Sequence, residues 1–103
     1  MRQYPNKEGI NHTNFAVKVN AYCPLGGNYR TMTVDCKVEI ADTYVDMLDL
    51  ETYFQKELNG GSYTAEALAE EIYQTLKREY NSPNVSVLVH SDTHLPIDVI
   101  KRD

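Results

Sequence analysis

Long apolar runs are missing from this chain, as are a surplus of basic charge, a cysteine framework and a glycine-rich phosphate loop. No stretch is long or apolar enough to cross a bilayer, and the polar opening from Met1 to Thr13 lacks a signal-peptide core. A cytoplasmic protein without membrane contact is therefore expected. Lys and Arg number 10 against 15 Asp and Glu, giving a formal charge of −5. A backbone-driven nucleic-acid binder needs a basic footprint, so nucleic acid is not an expected partner. The cysteines, Cys23 and Cys36, form neither a CxxC pair nor a disulfide framework, and reduced thiols are the default. No linker, internal repeat or low-complexity tract interrupts the sequence. What is present is 103 residues, 42% hydrophobic and 24% charged, which suits a single domain over 14–103 behind a polar segment, 1–13. A domain this short buries only part of its surface, so oligomerisation is a natural supplement.

Periodicity supplies the elements. Phe15, Val17, Val19 and Ala21 alternate with Ala16, Lys18, Asn20 and Tyr22, the pattern of a half-buried strand. Cys23-Pro24-Leu25-Gly26-Gly27-Asn28 is a turn. Beyond it Met32, Val34, Cys36, Val38 and Ile40 alternate with Thr31, Thr33, Asp35, Lys37 and Glu39, completing an antiparallel hairpin with one apolar face. After Asp46 the period changes. Met47, Leu50, Phe54 and Leu58 recur at helical spacing until Asn59-Gly60-Gly61 stops the helix. A second helix begins near Thr64, a candidate N-cap, with Leu68, Ile72 and Leu76 as its buried stripe. Asn81-Ser82-Pro83-Asn84 ends it; Val85, Val87 and Val89 alternate as a third strand, and Leu95 to Ile100 reads as a fourth. The expectation is an α+β fold, ββααββ, with two helices on one face of a four-stranded antiparallel sheet.

That order, together with several short segments, resembles the T-fold (tunnelling-fold) superfamily. Cys23-Pro24-Leu25-Gly26-Gly27, followed by Thr33-Val34 and Tyr44-Val45-Asp46 to Tyr53, is similar to the nitrile reductase of queuosine biosynthesis. Glu66-Ala67-Leu68-Ala69-Glu70 looks like the Glu-Thr-Leu-Ala-Glu of dihydroneopterin aldolase and the Gln-Glu-Arg-Leu-Thr of GTP cyclohydrolase I. Val87-Leu88-Val89 through Thr93-His94-Leu95 resembles the cyclohydrolase's closing strand, Pro96-Ile97 resembles the aldolase, and Gly27-Asn28-Tyr29-Arg30 resembles pyruvoyl-tetrahydropterin synthase. The resemblance implies a homo-oligomeric barrel whose active sites lie at subunit interfaces and take a heterocycle of pterin, purine or deazaguanine type.

It also implies departures. The reductase's proton-donating Asp has Arg30 in its place, and its His-Glu pair falls near Thr64-Ala65-Glu66 without the histidine. The paired zinc histidines have no counterpart around Gly26-Gly27, Pro96 stands for the cyclohydrolase's ligand cysteine, and Ser91 lies near the position of the aldolase's lysine. No metal is therefore expected, and no sibling's catalytic set is complete.

The candidate residues each have a plainer reading beside the functional one. The family places Glu66 as the carboxylate that accepts paired hydrogen bonds from a ring N–H and amino group; otherwise it is an acid favouring a helix N-terminus. Cys23 is a candidate nucleophile toward a nitrile or an electron-poor ring carbon, provided a charge such as Arg30 lowers its pKa; otherwise it is a small turn residue. Cys36 belongs to the core. His90 and His94 flank Asp92, and surface histidines are common; His94, matching the cyclohydrolase, is the better candidate for acid–base work. Asp46 stands near the reductase's substrate-contacting Glu and equally suits a helix start. The tyrosines suit ring stacking or a subunit interface.

The sequence thus points to an enzyme of pterin or deazaguanine metabolism with Cys23 and His94 catalytic and Glu66 and Asp46 binding substrate. Nitrile reduction would also need NADPH, which this fold binds without a Gly-rich loop. The alternatives are a catalytically degenerate T-fold scaffold and a small structural assembly protein.

Overall fold

A computed structural model describes residues 1–92 and 95–103. The long hairpin comes first in importance. β2 (His12–Cys23) and β3 (Asn28–Glu39) pair antiparallel over their whole length, from His12 opposite Glu39 to Cys23 opposite Asn28. β5 (Val85–Ser91) adds beside β3, and β6 (Ile97–Arg102) beside β5, giving a four-stranded antiparallel sheet in the order β2-β3-β5-β6. The last strand lies two residues later than alternation suggests. Pro96 has no N–H to give a ladder, and regular pairing begins only after it, with Ile97 opposite Ser91.

Val19, Val34, Val38, Val87 and Val89 are fully buried on one sheet face. The opposite face carries rows such as Lys18, Thr33, His90 and Asp98 in adjacent register. The two helical layers cover the apolar face. α1 (Met47–Thr52) runs directly into a π-helical segment, Tyr53–Leu58, where Asn59 N–H bonds back five residues to the Phe54 carbonyl at 3.0 Å. The segment packs on β2 with Tyr53, Phe54 and Leu58 buried.

α2 (Ala65–Tyr80) lies on β5 and β6 and buries Leu68, Ala69, Ile72, Thr75, Leu76 and Tyr80. Each large aliphatic side chain in this layer contributes about 1.5–3 kcal/mol relative to exposure. Thr64 caps α2, its hydroxyl accepting from Ala67 N–H at 3.1 Å. The helix closes with Asn81 at φ 47°, where Asn81 N–H reaches the Arg78 carbonyl and Ser82 N–H the Lys77 carbonyl. That pairing is a Schellman motif.

Two further findings depart from the periodic reading. Met47, expected on the buried stripe of the first helix, is 78% exposed. It is the first residue of α1, at the rim of the layer, and Leu50 is the first residue of that helix to be buried. The opening residues also form structure of their own. β1 (Gln3–Pro5) pairs antiparallel with β4 (Thr43–Val45), the Met1 amine meets Glu79 at 2.8 Å, and Arg2 binds Asp49. These contacts tie the N-terminus to α1 and to the end of α2. Among the described residues no helix is long and apolar enough to cross a membrane.

Candidate functional site

Cys23 ends β2, and the hairpin turn folds its own backbone over the thiol. Gly27, at φ 73°, allows its N–H to reach the Cys23 carbonyl at 2.8 Å. The N–H groups of Gly26 and Leu25 then point at Sγ and lower its pKa below the ordinary thiol value. Burial and the Glu66 carboxylate oppose that shift, while the Arg30 guanidinium supports it. Arg30 sits on β3, two residues beyond the turn. A methyl group built on Gly26 would lie 3.4 Å from Arg30 Nη2 and 3.7 Å from Cys23 Sγ, so guanidinium and thiol flank one small gap. The thiol is half-exposed, whereas Cys36 is buried and its thiol is pushed up to about 12.

Glu66 reaches the same corner because the loop before α2 is laced to β2. Asn20 N–H donates to Asn59 Oδ1 at 2.7 Å, and Gly60 N–H to the Asn20 carbonyl at 2.6 Å. Tyr22 N–H donates to the Gly61 carbonyl at 2.8 Å, and Tyr63 N–H to the Tyr22 carbonyl at 2.9 Å. The capped start of α2 follows at once, and Glu66 is its second residue. Its side chain is exposed and, among the described residues, makes neither a hydrogen bond nor an ion pair. Tyr22 and Tyr29 meet edge to face at 5.3 Å beside the turn, with Tyr29 exposed. The corner therefore combines a thiol biased toward thiolate, aromatic surface, and a carboxylate and a guanidinium that are unpaired among the described residues. Such a set suits nucleophilic attack on a planar polar ring.

The other sequence candidates lie elsewhere. Asp46 caps α1, accepting from Leu48 N–H at 2.8 Å and Asp49 N–H at 3.2 Å, and takes the Tyr4 hydroxyl at 2.8 Å. The Tyr4 bond is the main reason its carboxyl stays below the usual range. It lines a cavity of about 530 Å³ with Phe15, Tyr44, Leu50, Phe54 and Tyr80. That cavity extends along β2 only to Val17, about 20 Å of strand short of Cys23. A second cavity, about 700 Å³, lies between the helices around Arg2, Tyr53, Thr75 and Glu79, also away from the thiol. His94 falls outside the described residues. His90 holds Asp98 through Nδ1 at 2.6 Å on the outer sheet face. Among the described residues no three His, Cys, Asp or Glu side chains converge to hold a metal.

The structure thus brings together Cys23, Glu66 and Arg30, and leaves Asp46 at the other end of β2. Periodicity does not show the Leu25 and Gly26 N–H donors; the Gly26-Gly27 pair is the one trace of them in the sequence.

No protein-family model matches the chain, and no curated protein matches it in sequence. Among solved structures it is similar to the crystal structure of the archaeosine synthase QueF-Like in the apo form. The TM-score is 0.84 over 92% of this chain and 95% of that one, at 16% identity. Its two helices on a four-stranded antiparallel sheet, and this likeness across nearly its whole length, give the chain the T-fold.

Proposed function

We propose that the chain binds a deazaguanine-like ring at the Cys23 turn and attacks a nitrile carbon on it with the Cys23 thiolate. The observation that carries this reading is the meeting of a pKa-lowered Cys23 and a free Glu66 carboxylate in one corner. The T-fold likeness to a protein described as an archaeosine synthase supports the choice of ring. Glu66 accepts from the ring N–H and amino group, and charge assistance makes such a paired contact stronger than a neutral one. The sulfur lone pair forms a C–S bond, one nitrile π bond breaks, and the nitrogen takes a proton from water, leaving a thioimidate.

The corner is open on the single chain, so a second copy closes it in this reading. Asp46 reaches a ring at Cys23 only from such a neighbour. His94, the acid–base candidate of the sequence, relays that proton from water in this reading. A degenerate scaffold is the second reading, and the observation favouring it is Arg30 beside the thiol where the reductase resemblance calls for an acid.

A thermal-shift panel of deazaguanine nitrile, guanine, GTP, neopterin and dihydroneopterin tests the binding, because a ligand selective for the folded state raises the melting temperature. The nitrile is expected to stabilise wild type and not Glu66→Gln. Intact mass should show a nitrile adduct on wild type that Cys23→Ala lacks. No shift with any ring, in a folded protein, sinks the proposal. Binding without adduct or turnover leaves the degenerate scaffold.

A further inference from the structure

We infer that Arg30 is a positioning residue that holds Cys23 as a thiolate, and that Glu66 works against it until a ligand occupies the Glu66 carboxylate. The inference rests on the reading of Cys23 as the nucleophile. The geometry behind it is the gap above Gly26, where one point lies 3.4 Å from Arg30 Nη2 and 3.7 Å from Cys23 Sγ. The two groups are therefore within about 7 Å of each other, where a unit charge changes the ionisation of a solvent-facing thiol several-fold. Among the described residues Arg30 makes no ion pair, so none of their carboxylates neutralises its charge at contact distance.

The charged and titratable groups acting on the thiol come from two elements, Arg30 from β3 and Glu66 from α2, with opposite signs. The N–H groups of Gly26 and Leu25 supply the larger part of the thiolate's support, and the Arg30 charge adds to them. Glycine at 26 leaves the space between guanidinium and thiol open; a Cβ there would sit in van der Waals contact with both.

Two consequences follow for the chemistry. A guanidinium stays charged at any physiological pH and is a poor proton donor, so a proton for the nitrile nitrogen comes from water. A ring whose N–H groups engage Glu66 also masks a carboxylate that opposes the thiolate. Binding and activation of the nucleophile are thereby coupled: the correct ring raises the thiolate fraction of the residue that attacks it.

The test is the pH profile of iodoacetamide alkylation of the full chain without ligand. Cys36, buried with its thiol near 12, stays silent, so the rate reports Cys23. Arg30→Met is expected to slow alkylation at pH 7 about threefold or more and move the profile to higher pH. Arg30→Lys, keeping the charge, should restore most of the rate, and Glu66→Gln should shift the profile to lower pH. Circular dichroism of each variant checks folding. An unmoved profile in folded Arg30→Met, or no rescue by Lys, overturns the role of Arg30. A Glu66→Gln shift in the same direction as Arg30→Met overturns the opposition. Because no ring is present, these results stand or fall separately from the thermal-shift panel.

Discussion

The hydroxyl of Tyr53 gives a direct check on how the π-helical segment is tied to the helix that carries Glu66. Tyr53 is 5% exposed and Thr75 is 4% exposed, and the phenol donates to Thr75 Oγ1 at 3.1 Å. Tyr53→Phe keeps the ring and its edge contact with Phe54 while removing one buried hydrogen bond. A helical threonine hydroxyl can turn to the carbonyl four residues back, so the cost is about 0.5–1.5 kcal/mol. Thr75→Val is worse, because it strands the phenol without an acceptor, at about 1–3 kcal/mol. Tyr53→Phe combined with Thr75→Val leaves no orphan and should lie closer to wild type than the two single losses added together. Urea unfolding of the four proteins at one concentration closes the double-mutant cycle, and in a chain this size 1 kcal/mol is worth about 4–8 °C of melting temperature. Strict additivity, within about 0.5 kcal/mol, would refute the reasoning by showing that the two hydroxyls do not interact.

Three further outcomes are expected. Burial holds Tyr53 and Tyr80 near pKa 12 and Cys36 near 12, all above their unfolded values, so their stabilising contribution is complete at lower pH. It is lost as pH rises toward 12, from about 9 for the thiol and about 10 for the phenols; urea midpoints should fall over that window, and less steeply in Tyr80→Phe. At Asn81, φ 47° favours Gly or Asn, so Asn81→Gly should melt close to wild type and Asn81→Ala should cost about 1 kcal/mol in thermal denaturation. A Cβ at Gly61 would stand 2.7 Å from Tyr63 Cε2 and 3.1 Å from the Leu58 carbonyl oxygen. Gly61→Ala should therefore destabilise by about 1–3 kcal/mol and also diminish the ring-induced thermal shift, since it displaces the loop that places Glu66.

Where side-chain alternation was long, the sequence disclosed the fold. The apolar residues of β2 and β3 that alternate in sequence share the core face, and Thr64, Leu68, Ile72 and Leu76 stand where a capped amphipathic helix needs them. β1 and β4 have 3 residues each, too few for a period, and their pairing depends on tertiary contacts such as Arg2 with Asp49. The π-helical segment was hidden because Leu50, Phe54 and Leu58 satisfy an α-helical pattern equally well. For the candidate site, Cys23 and Glu66 have side chains of the proposed chemistry and were visible as candidates. Their proximity was not, because it depends on backbone bonds between Asn20-Tyr22 and the loop at Asn59-Tyr63 that any residues with an N–H and a carbonyl would make.

Those same bonds have a consequence for the outer border of the sheet. β2 is an edge strand, and from Asn20 to Tyr22 its outward N–H and carbonyl groups are already taken by the chain's own loop. Farther down, the outward groups at Asn14, Ala16 and Lys18 have no strand beside them among the described residues. An incoming strand of any origin meets a built-in stop at Asn20. The loop therefore acts as a ruler: it limits how far a neighbour can slide along this edge, and that limit is built within a single chain before any neighbour arrives.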